Sequence, residues 1–259
     1  MSLSFVITLF VLGVIGALLA GMLGMGGAII HYPLLLYVPV MLGFSSFDAY
    51  EVSGIVAVQV FFTSLSGMLT YRKGGFLNKQ LVVTMGSSVL IGSLLGSYGS
   101  GYLQEDTVNF VYGILALIAA VLMFVPKKGR EVEPGEQVGF NKWLAAILAL
   151  VVGVSAGIVG AGGAFLLVPI MLVVLKIPTR MTIATSLSVA FISSIGSTIG
   201  KIATDQVLLW PAAVMIVASL IGSPIGAKIG QKVNTKFLQG LLAVLIVITT
   251  INIWYDILH

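Results

Sequence analysis

The sequence predicts an all-α integral membrane protein built from two inverted-topology repeats, and three observations predict it. Hydrophobic residues make up 58% of the 259 residues and charged residues only 8%, which is too apolar for a water-soluble globule. Long apolar runs alternate with short charged loops, and no run has the alternating pattern of a membrane β-strand. The chain also repeats itself: residues 21–36 align with 157–172 without a gap, with seven identical positions.

The repeat divides the chain into three parts. Residues 1–125 form the first transmembrane repeat, 126–142 a polar linker rich in Pro and Gly, and 143–259 the second repeat. A further match between residues 92–96 and 222–226 extends the duplication over nearly the whole chain.

Each half is predicted to contain five apolar segments. In the first half they cover residues 3–20, 28–43, 52–71, 80–102 and 107–125. In the second half they cover residues 143–159, 163–176, 181–203, 207–227 and 237–255. The second segment of each half is shorter than the roughly 20 residues that a crossing needs. These two segments are therefore either glycine-broken, re-entrant half-helices or tilted spans.

The basic residues predict the orientation. Twelve of the 13 Lys and Arg residues fall into loops that lie on one face if the segments cross alternately, which the positive-inside rule assigns to the cytoplasm. They are Arg72, Lys73, Lys79, Lys127, Lys128, Arg130, Lys142, Lys176, Arg180, Lys228, Lys232 and Lys236. Both termini are then outside, and equivalent segments of the two halves run in opposite directions. Inverted repeats of this kind are typical of proteins that work by alternating access.

Two glycine clusters mark the candidate site. They are Gly24-Met-Gly-Gly-Ala28 and Gly160-Ala-Gly-Gly-Ala164. A helix that restarts at Ala28 or Ala164 would aim unpaired N–H groups and a positive dipole end into the membrane interior, where they can bind an anion. The alternative is that the glycines only permit close helix packing. Duplication of the cluster, each followed by a proline, favours the first interpretation.

Polar side chains follow one face of each third segment. Thr182, Ser186, Ser193, Ser197 and Gly200 share an arc of about 60° at 100° per residue, and Gln59, Thr63, Gly67 and Thr70 share a similar arc in the first half. Their hydroxyl and amide groups could replace part of an anion's hydration shell. Equally, Ser and Thr in membrane helices bond to their own backbone or to a neighbouring helix.

Two basic side chains lie within predicted membrane segments. His31 is predicted to lie deep in the membrane, where it could donate to an anion, carry a proton or bond to a neighbouring carbonyl as a neutral ring. Lys201 lies near the outer end of the eighth segment. It could attract anions, but we expect its side chain to extend to the interface.

The pattern Gly-x-x-Gly-x-Gly-Gly-Ala followed by Pro, present in both halves, resembles the TauE/SafE sulfite exporter family. The stretches Ala184-Thr185-Ser186-Leu187 and 54–67 are similar to that family too, although Ala184 replaces a glycine common there. The resemblance implies export of sulfite, sulfonates or related small organic anions across the cytoplasmic membrane. Other small anions or metabolites are the alternative substrates.

We expect the substrate to be bound by residues of the two breaks and the third segments. The candidates are Gly24, Gly26, Gly27, Ala28, His31, Gln59, Thr63, Gly160, Gly162, Gly163, Ala164, Thr185 and Ser186. No catalytic residue, cofactor, metal or nucleic acid is expected, and the expected partners are the anion and the lipid bilayer. A homodimer is compatible with a membrane protein of this size.

A Gly-x-Ser-x-Gly sequence around Ser155 suggests an intramembrane serine protease only weakly, because that motif needs a strand-to-helix turn.

Overall fold

The computed structural model describes residues 3–124 and 138–258, and these residues are helical nearly throughout. Ten α-helices follow one another in chain order. They are α1 (Leu3–Leu23), α2 (Ala28–Met41), α3 (Ala49–Tyr71), α4 (Lys79–Gly99), α5 (Glu105–Phe124), α6 (Lys142–Val159), α7 (Ala164–Pro169), α8 (Thr179–Ala203), α9 (Leu209–Lys232) and α10 (Thr235–Leu258). A π-helical turn, Ile170–Val174, extends α7. Most of the predicted linker lies outside the described residues.

The prediction of a helical membrane protein is confirmed. Seven of these helices, α1, α3, α4, α6, α8, α9 and α10, are long and apolar enough to cross a bilayer. The other three, counting the π-helical turn with α7, contain shorter apolar stretches, at Ala28–Met41, Asp106–Leu122 and Phe165–Val174. Of these helices, α2 and α7 are the two short segments that the sequence predicts. Several helices start where a side chain caps the first turn. Asp48 and Glu51 form a reciprocal capping box at α3, and Asn78 and Asn141 cap α4 and α6.

The helices α1 and α2 form a hairpin whose tip is the first glycine cluster. The ring of Phe5, near the start of α1, lies 5.0 Å from the ring of Phe44 and 5.8 Å from that of Phe47, both of which follow α2. The chain therefore returns, after the glycines, to the end of the molecule where α1 began. Since α2 has 14 residues, it rises only about 21 Å, so the loop after it completes the return.

The first helix of each half packs against the fourth helix of the other half. A Cβ built on Gly222 of α9 would lie 2.5 Å from the Val14 carbonyl oxygen of α1, and one built on Gly92 of α4 would lie 2.5 Å from the Leu150 carbonyl oxygen of α6. These two contacts join equivalent positions of the repeat. Because only glycine permits so close a backbone approach, both helix pairs depend on it.

The third helices, α3 and α8, cross each other in opposite directions at the centre. Thr198 of α8 donates a 3.2 Å hydrogen bond to the Ala57 carbonyl of α3, and the Phe61 and Phe191 rings lie 5.1 Å apart. Residue numbers rise along one helix as they fall along the other. The two helices are therefore antiparallel, as equivalent helices of an inverted repeat must be. Their direction in the bilayer remains a prediction.

Candidate functional site

Both glycine clusters interrupt the helices in the same manner. Gly24, Gly26 and Gly27 have φ values of 76°, 68° and 103°, and Gly160, Gly162 and Gly163 have φ values of 74°, 60° and 70°. These left-handed conformations end α1 and α6 and allow new helices to begin at Ala28 and Ala164. No side chain caps either new helix, so the first N–H groups of each have neither an intrahelical acceptor nor a side-chain cap.

Each break packs against the third helix of the opposite half. At the first break, the Ser186 hydroxyl of α8 donates a 2.7 Å hydrogen bond to the Gly24 carbonyl. At the second break, Gly160 lies so close to the Ser53 carbonyl of α3 that a Cβ would clash with it. The two breaks thus lie near the starts of α8 and α3, which point in opposite directions.

The second break also reaches the crossing of α3 and α8. A Cβ built on Gly162 would lie 2.6 Å from the Val60 side chain of α3 and 3.5 Å from the Ala190 carbonyl oxygen of α8. Gly162 is therefore held between the two third helices. The restart of α7 follows it directly.

Four buried polar side chains at this crossing have no hydrogen-bond partner in the described part of the chain. We refer to them as the central polar set: Gln59 and Thr63 of α3, and Ser193 and Ser197 of α8. All four residues have 0% exposure. Both atoms of the Gln59 amide and the three hydroxyl oxygens lack a partner. Buried polar atoms are nearly always hydrogen-bonded, because leaving one unpaired costs free energy, so these four side chains are the strongest candidates for contact with a ligand.

The set faces the interior of the protein. Phe61, Phe62, Ile195 and Thr198 line an apolar groove of about 680 Å³ on the other side of the same two helices. At 100° per residue, Gln59 and Thr63 lie on the opposite face of α3 from Phe61. The crossing thus has an apolar outer side and a polar inner side.

These groups can bind the oxygen atoms of a small solute. The Gln59 amide offers two N–H donors and each hydroxyl offers one, and all of them are uncharged. The sequence singled out Gln59 and Thr63 as site residues. Ser193 and Ser197 belong to the polar face predicted for the eighth segment but are not among the site candidates. The spacing along one helix does not distinguish a serine that contacts substrate from one that bonds to its own backbone.

Thr185 and Ser186 lie at the start of α8, away from the crossing. The Thr185 hydroxyl accepts a 3.3 Å hydrogen bond from the Asn78 backbone N–H, whereas Ser186 binds the Gly24 carbonyl. Both side chains therefore hold neighbouring segments against α8.

The structure places His31 in a slot between α1 and α2. Its Nδ1 lies 2.9 Å from the Gly27 carbonyl oxygen and its Nε2 lies 3.3 Å from the Gly13 carbonyl oxygen. A Cβ on Gly16 would lie 2.6 Å from the imidazole Cδ2 atom, so glycine leaves the room that this ring fills. Both ring nitrogens thus face backbone acceptors, and none of these contacts involves α3 or α8.

The expectation that the Lys201 side chain extends to the interface is wrong. Lys201 has 0% exposure, and its ammonium donates three hydrogen bonds inside the protein. The acceptors are Ser100 Oγ at 2.8 Å, the Ile158 carbonyl at 2.8 Å and Gln206 Oε1 at 2.7 Å. Three neutral oxygen atoms therefore satisfy its three N–H groups, which removes the need to reach water.

A cavity of about 660 Å³ opens beyond Lys201, on the face predicted to be extracytoplasmic. We call it the outer vestibule. Its lining includes Gln206, Tyr50, Tyr102 and the carboxylates of Asp48, Glu51 and Asp205. Gln206 thus borders the vestibule on one side and binds Lys201 on the other.

The elements of a serine protease are not brought together. Ser155 lies within α6, where its hydroxyl donates 3.1 Å to the Val151 carbonyl one turn earlier. His31 bonds to the carbonyls of Gly13 and Gly27 instead. The strand-to-helix turn of the hydrolase motif is replaced by continuous helix.

Comparison with known proteins relates the whole chain to membrane transporters. A family model described as "Sulfite exporter TauE/SafE" matches residues 9–253. "Probable membrane transporter protein YunE" of Bacillus subtilis is 25% identical over 271 aligned residues, which cover 98% of both chains. YdhB, a probable membrane transporter protein of the same organism, is 24% identical over 79% of this chain and 81% of its own. A probable membrane transporter protein of Xylella fastidiosa is 27% identical over 71% and 69%. No solved structure matches the chain significantly.

Proposed function

Because the chain belongs to the TauE/SafE sulfite exporter family, we propose that this membrane transporter exports small sulfur-containing anions, such as sulfite or sulfonates, across the cytoplasmic membrane. In this proposal the anion binds between the two glycine breaks, at the crossing of α3 and α8. The basic loops face the cytoplasm, and both termini face outward. A homodimer remains a prediction from the size of the chain.

The observation that carries the proposal is the central polar set. Gln59, Thr63, Ser193 and Ser197 are fully buried and lack partners within the described residues. The oxygen atoms of a passing anion would accept hydrogen bonds from the amide and hydroxyl groups of these residues, one after another. The residues of the glycine breaks contribute backbone N–H groups at the starts of α2 and α7, where the helix dipole also favours negative charge.

The sulfur chemistry of the substrate is supported by family membership. Amide and hydroxyl donors bind the oxygen atoms of sulfite, thiosulfate and sulfonates alike, because these ions share a small, oxygen-rich head. A carboxylate-bearing metabolite is the alternative substrate, and it would compete for the same donors.

The membrane potential can drive the export. An inside-negative potential favours outward movement of each negative charge by about 2.3 kcal/mol per 100 mV. Among the described residues, no Asp or Glu is buried as a candidate proton relay. Proton coupling would have to use His31, the substrate or water, and we propose instead that anion export runs without a coupling ion. Flux that ignores an imposed potential but follows an imposed proton gradient would exclude this mode.

Flux of sulfite, thiosulfate and short sulfonates should be measured with purified protein in liposomes. We expect saturable flux that Thr63→Val and Ser193→Ala each lower about tenfold, because each variant removes a donor that has no other partner. Gly26→Leu and Gly162→Leu should abolish flux, because a side chain at these positive-φ positions disturbs the breaks.

Neighbouring residues provide matched controls. Ser64 and Ser194 are also buried, but their hydroxyls already donate to the Val60 and Phe191 carbonyls of their own helices. Ser64→Ala and Ser194→Ala should therefore keep near-normal flux. Equal losses in the controls would contradict the assigned site, and no flux of any anion in the wild type would contradict the function.

A further inference from the structure

Lys201 is a fully buried cation whose partners are all neutral. Its three hydrogen bonds go to a hydroxyl, a backbone carbonyl and an amide oxygen, at 2.7–2.8 Å. Such bonds satisfy the N–H groups but leave the positive charge uncompensated. Removing an ammonium from water without an opposite charge costs free energy, so buried lysines are normally paired.

The equivalent position in the first half shows that the fold does not need this charge. Tyr71 lies there, and its hydroxyl donates 3.4 Å to the Met22 carbonyl near the end of α1. Lys201 donates to the Ile158 carbonyl near the end of α6, which is the equivalent atom of the second half. A neutral hydroxyl thus makes, in one half, the contact that a charged group makes in the other.

Lys201 also lies on the route between the central polar set and the outer vestibule. It follows Ser197 by one helical turn on α8, a spacing that puts the two Cβ atoms about 5–6 Å apart. On its other side, its partner Gln206 lines the vestibule. An anion that moved along this side of α8 from the set to the vestibule would pass the ammonium.

We propose that the transported anion is the counter-ion of Lys201, so that this lysine gives the binding site its charge selectivity and much of its affinity. The inference rests on the proposed function. Of the three vestibule carboxylates, Asp48 and Asp205 are exposed to water, which screens them. Glu51 is half-buried, and its carboxylate accepts a hydrogen bond from the Asp48 backbone N–H at the start of α3. The ammonium, in contrast, acts in a low-dielectric interior. The bound anion compensates the charge of the buried ammonium, which favours binding. Because no permanent carboxylate among the described residues pairs with Lys201, the lysine is free to pair with each anion in turn.

The test is the concentration dependence of flux in substitutions at Lys201. Lys201→Tyr copies the residue of the first half and keeps a donor for the Ile158 carbonyl, and Lys201→Met removes donor and charge. We expect both to raise the KM for thiosulfate at least about tenfold and to abolish the rise in Tm that thiosulfate produces. Lys201→Arg should keep most of the affinity. Lys228→Met, at an exposed position of α9, is the matched control and should leave the KM unchanged.

A second variant tests the inference without removing the lysine. Ser100 lies 2.8 Å from the ammonium, so Ser100→Asp would supply a fixed counter-ion. We expect this variant to have a higher Tm without anion and a KM raised at least about tenfold. Wild-type KM in Lys201→Tyr or in Ser100→Asp overturns the inference. If that happens but Ser193→Ala still lowers flux, only the inference about Lys201 fails and the proposed transport function stands. If the wild-type protein shows no flux, the proposed function itself is wrong.

Discussion

Ser186 and Gly24 join the two halves of the chain: the Ser186 hydroxyl of α8 donates a 2.7 Å hydrogen bond to the Gly24 carbonyl in the first glycine break. Because Gly24 is buried, Ser186→Ala would leave this carbonyl without that donor. We expect a loss of about 1–3 kcal/mol in the free energy of unfolding, seen as a lower Tm in detergent. Ser188→Ala is the control, since within the described residues the Ser188 hydroxyl donates to the Ala184 carbonyl of its own helix, at 3.4 Å. An equal drop in Tm for both variants would contradict the assigned role.

Gly160→Ala tests the second break. Its φ of 74° is strained for alanine, and the new methyl group would clash with the Ser53 carbonyl. We expect destabilisation of at least about 2 kcal/mol together with loss of flux. Gly240→Ala in α10 meets no atom within 4 Å and should be neutral or slightly stabilising. Normal flux and Tm in Gly160→Ala would show that the break tolerates a side chain.

Gly96→Ala tests the close contact of α4 with α6. A methyl group there would clash with the Val154 carbonyl, whereas a methyl group on Gly99, three residues further along the same helix, meets nothing within 4 Å. We expect Gly96→Ala to lower the Tm and Gly99→Ala to leave it unchanged or raise it. Thermal unfolding of the two variants side by side checks this. The opposite order would mean that α4 and α6 are held together in another way.

His31→Leu separates a structural histidine from a ligand-binding one. Leu167 lies at the equivalent position of the second half, so leucine is compatible with the repeat. The substitution removes the contacts of the ring with the Gly13 and Gly27 carbonyls. We expect a lower Tm but a KM within about twofold of wild type, because these contacts lie outside the α3–α8 crossing. A tenfold higher KM in folded protein would assign His31 to the substrate.

Single cysteines test the inversion of the halves, because the natural sequence has none. Lys79 and Leu209 are the first residues of α4 and α9, at equivalent positions of the repeat. If the halves are inverted, Lys79→Cys reacts with a membrane-impermeant maleimide only from the cytoplasmic side and Leu209→Cys only from the outside. Labelling of both from the same side would contradict the inverted topology.

Much of the architecture could be predicted from the sequence because the bilayer restricts the choice. A polypeptide in lipid must satisfy its backbone within helices, so apolar runs became helices with nearly the predicted bounds. The glycine clusters were informative because Gly24 and Gly160 adopt conformations that other residues avoid. The π-helical turn at Ile170–Val174 was not predictable, because nothing in an apolar run distinguishes it from α-helix.

The environment of individual polar side chains was harder to predict. Lys201 lies two residues before the end of its predicted segment, where a lysine normally reaches water. Its burial depends on Ser100 and Gln206, which come from the turn after α4 and the loop before α9. Likewise, Ser193 and Ser194 are chemically identical neighbours, yet only Ser194 bonds to its own helix. Such differences arise from tertiary contacts that the spacing along one helix does not contain.

The pairing of α1 with α9 means that the first helix must wait for its partner while the chain is being synthesised. Gly13 of α1 packs against Met215 and Ala218 of α9, helices that are made about 200 residues apart. At about 5–20 residues per second, the ribosome needs roughly 10–40 s to supply the partner of the first helix. During this interval Gly13 lacks its α9 partners, although His31 of α2 can already contact the Gly13 carbonyl. An error that keeps α9 from inserting therefore also leaves α1, the first helix made, without its partner.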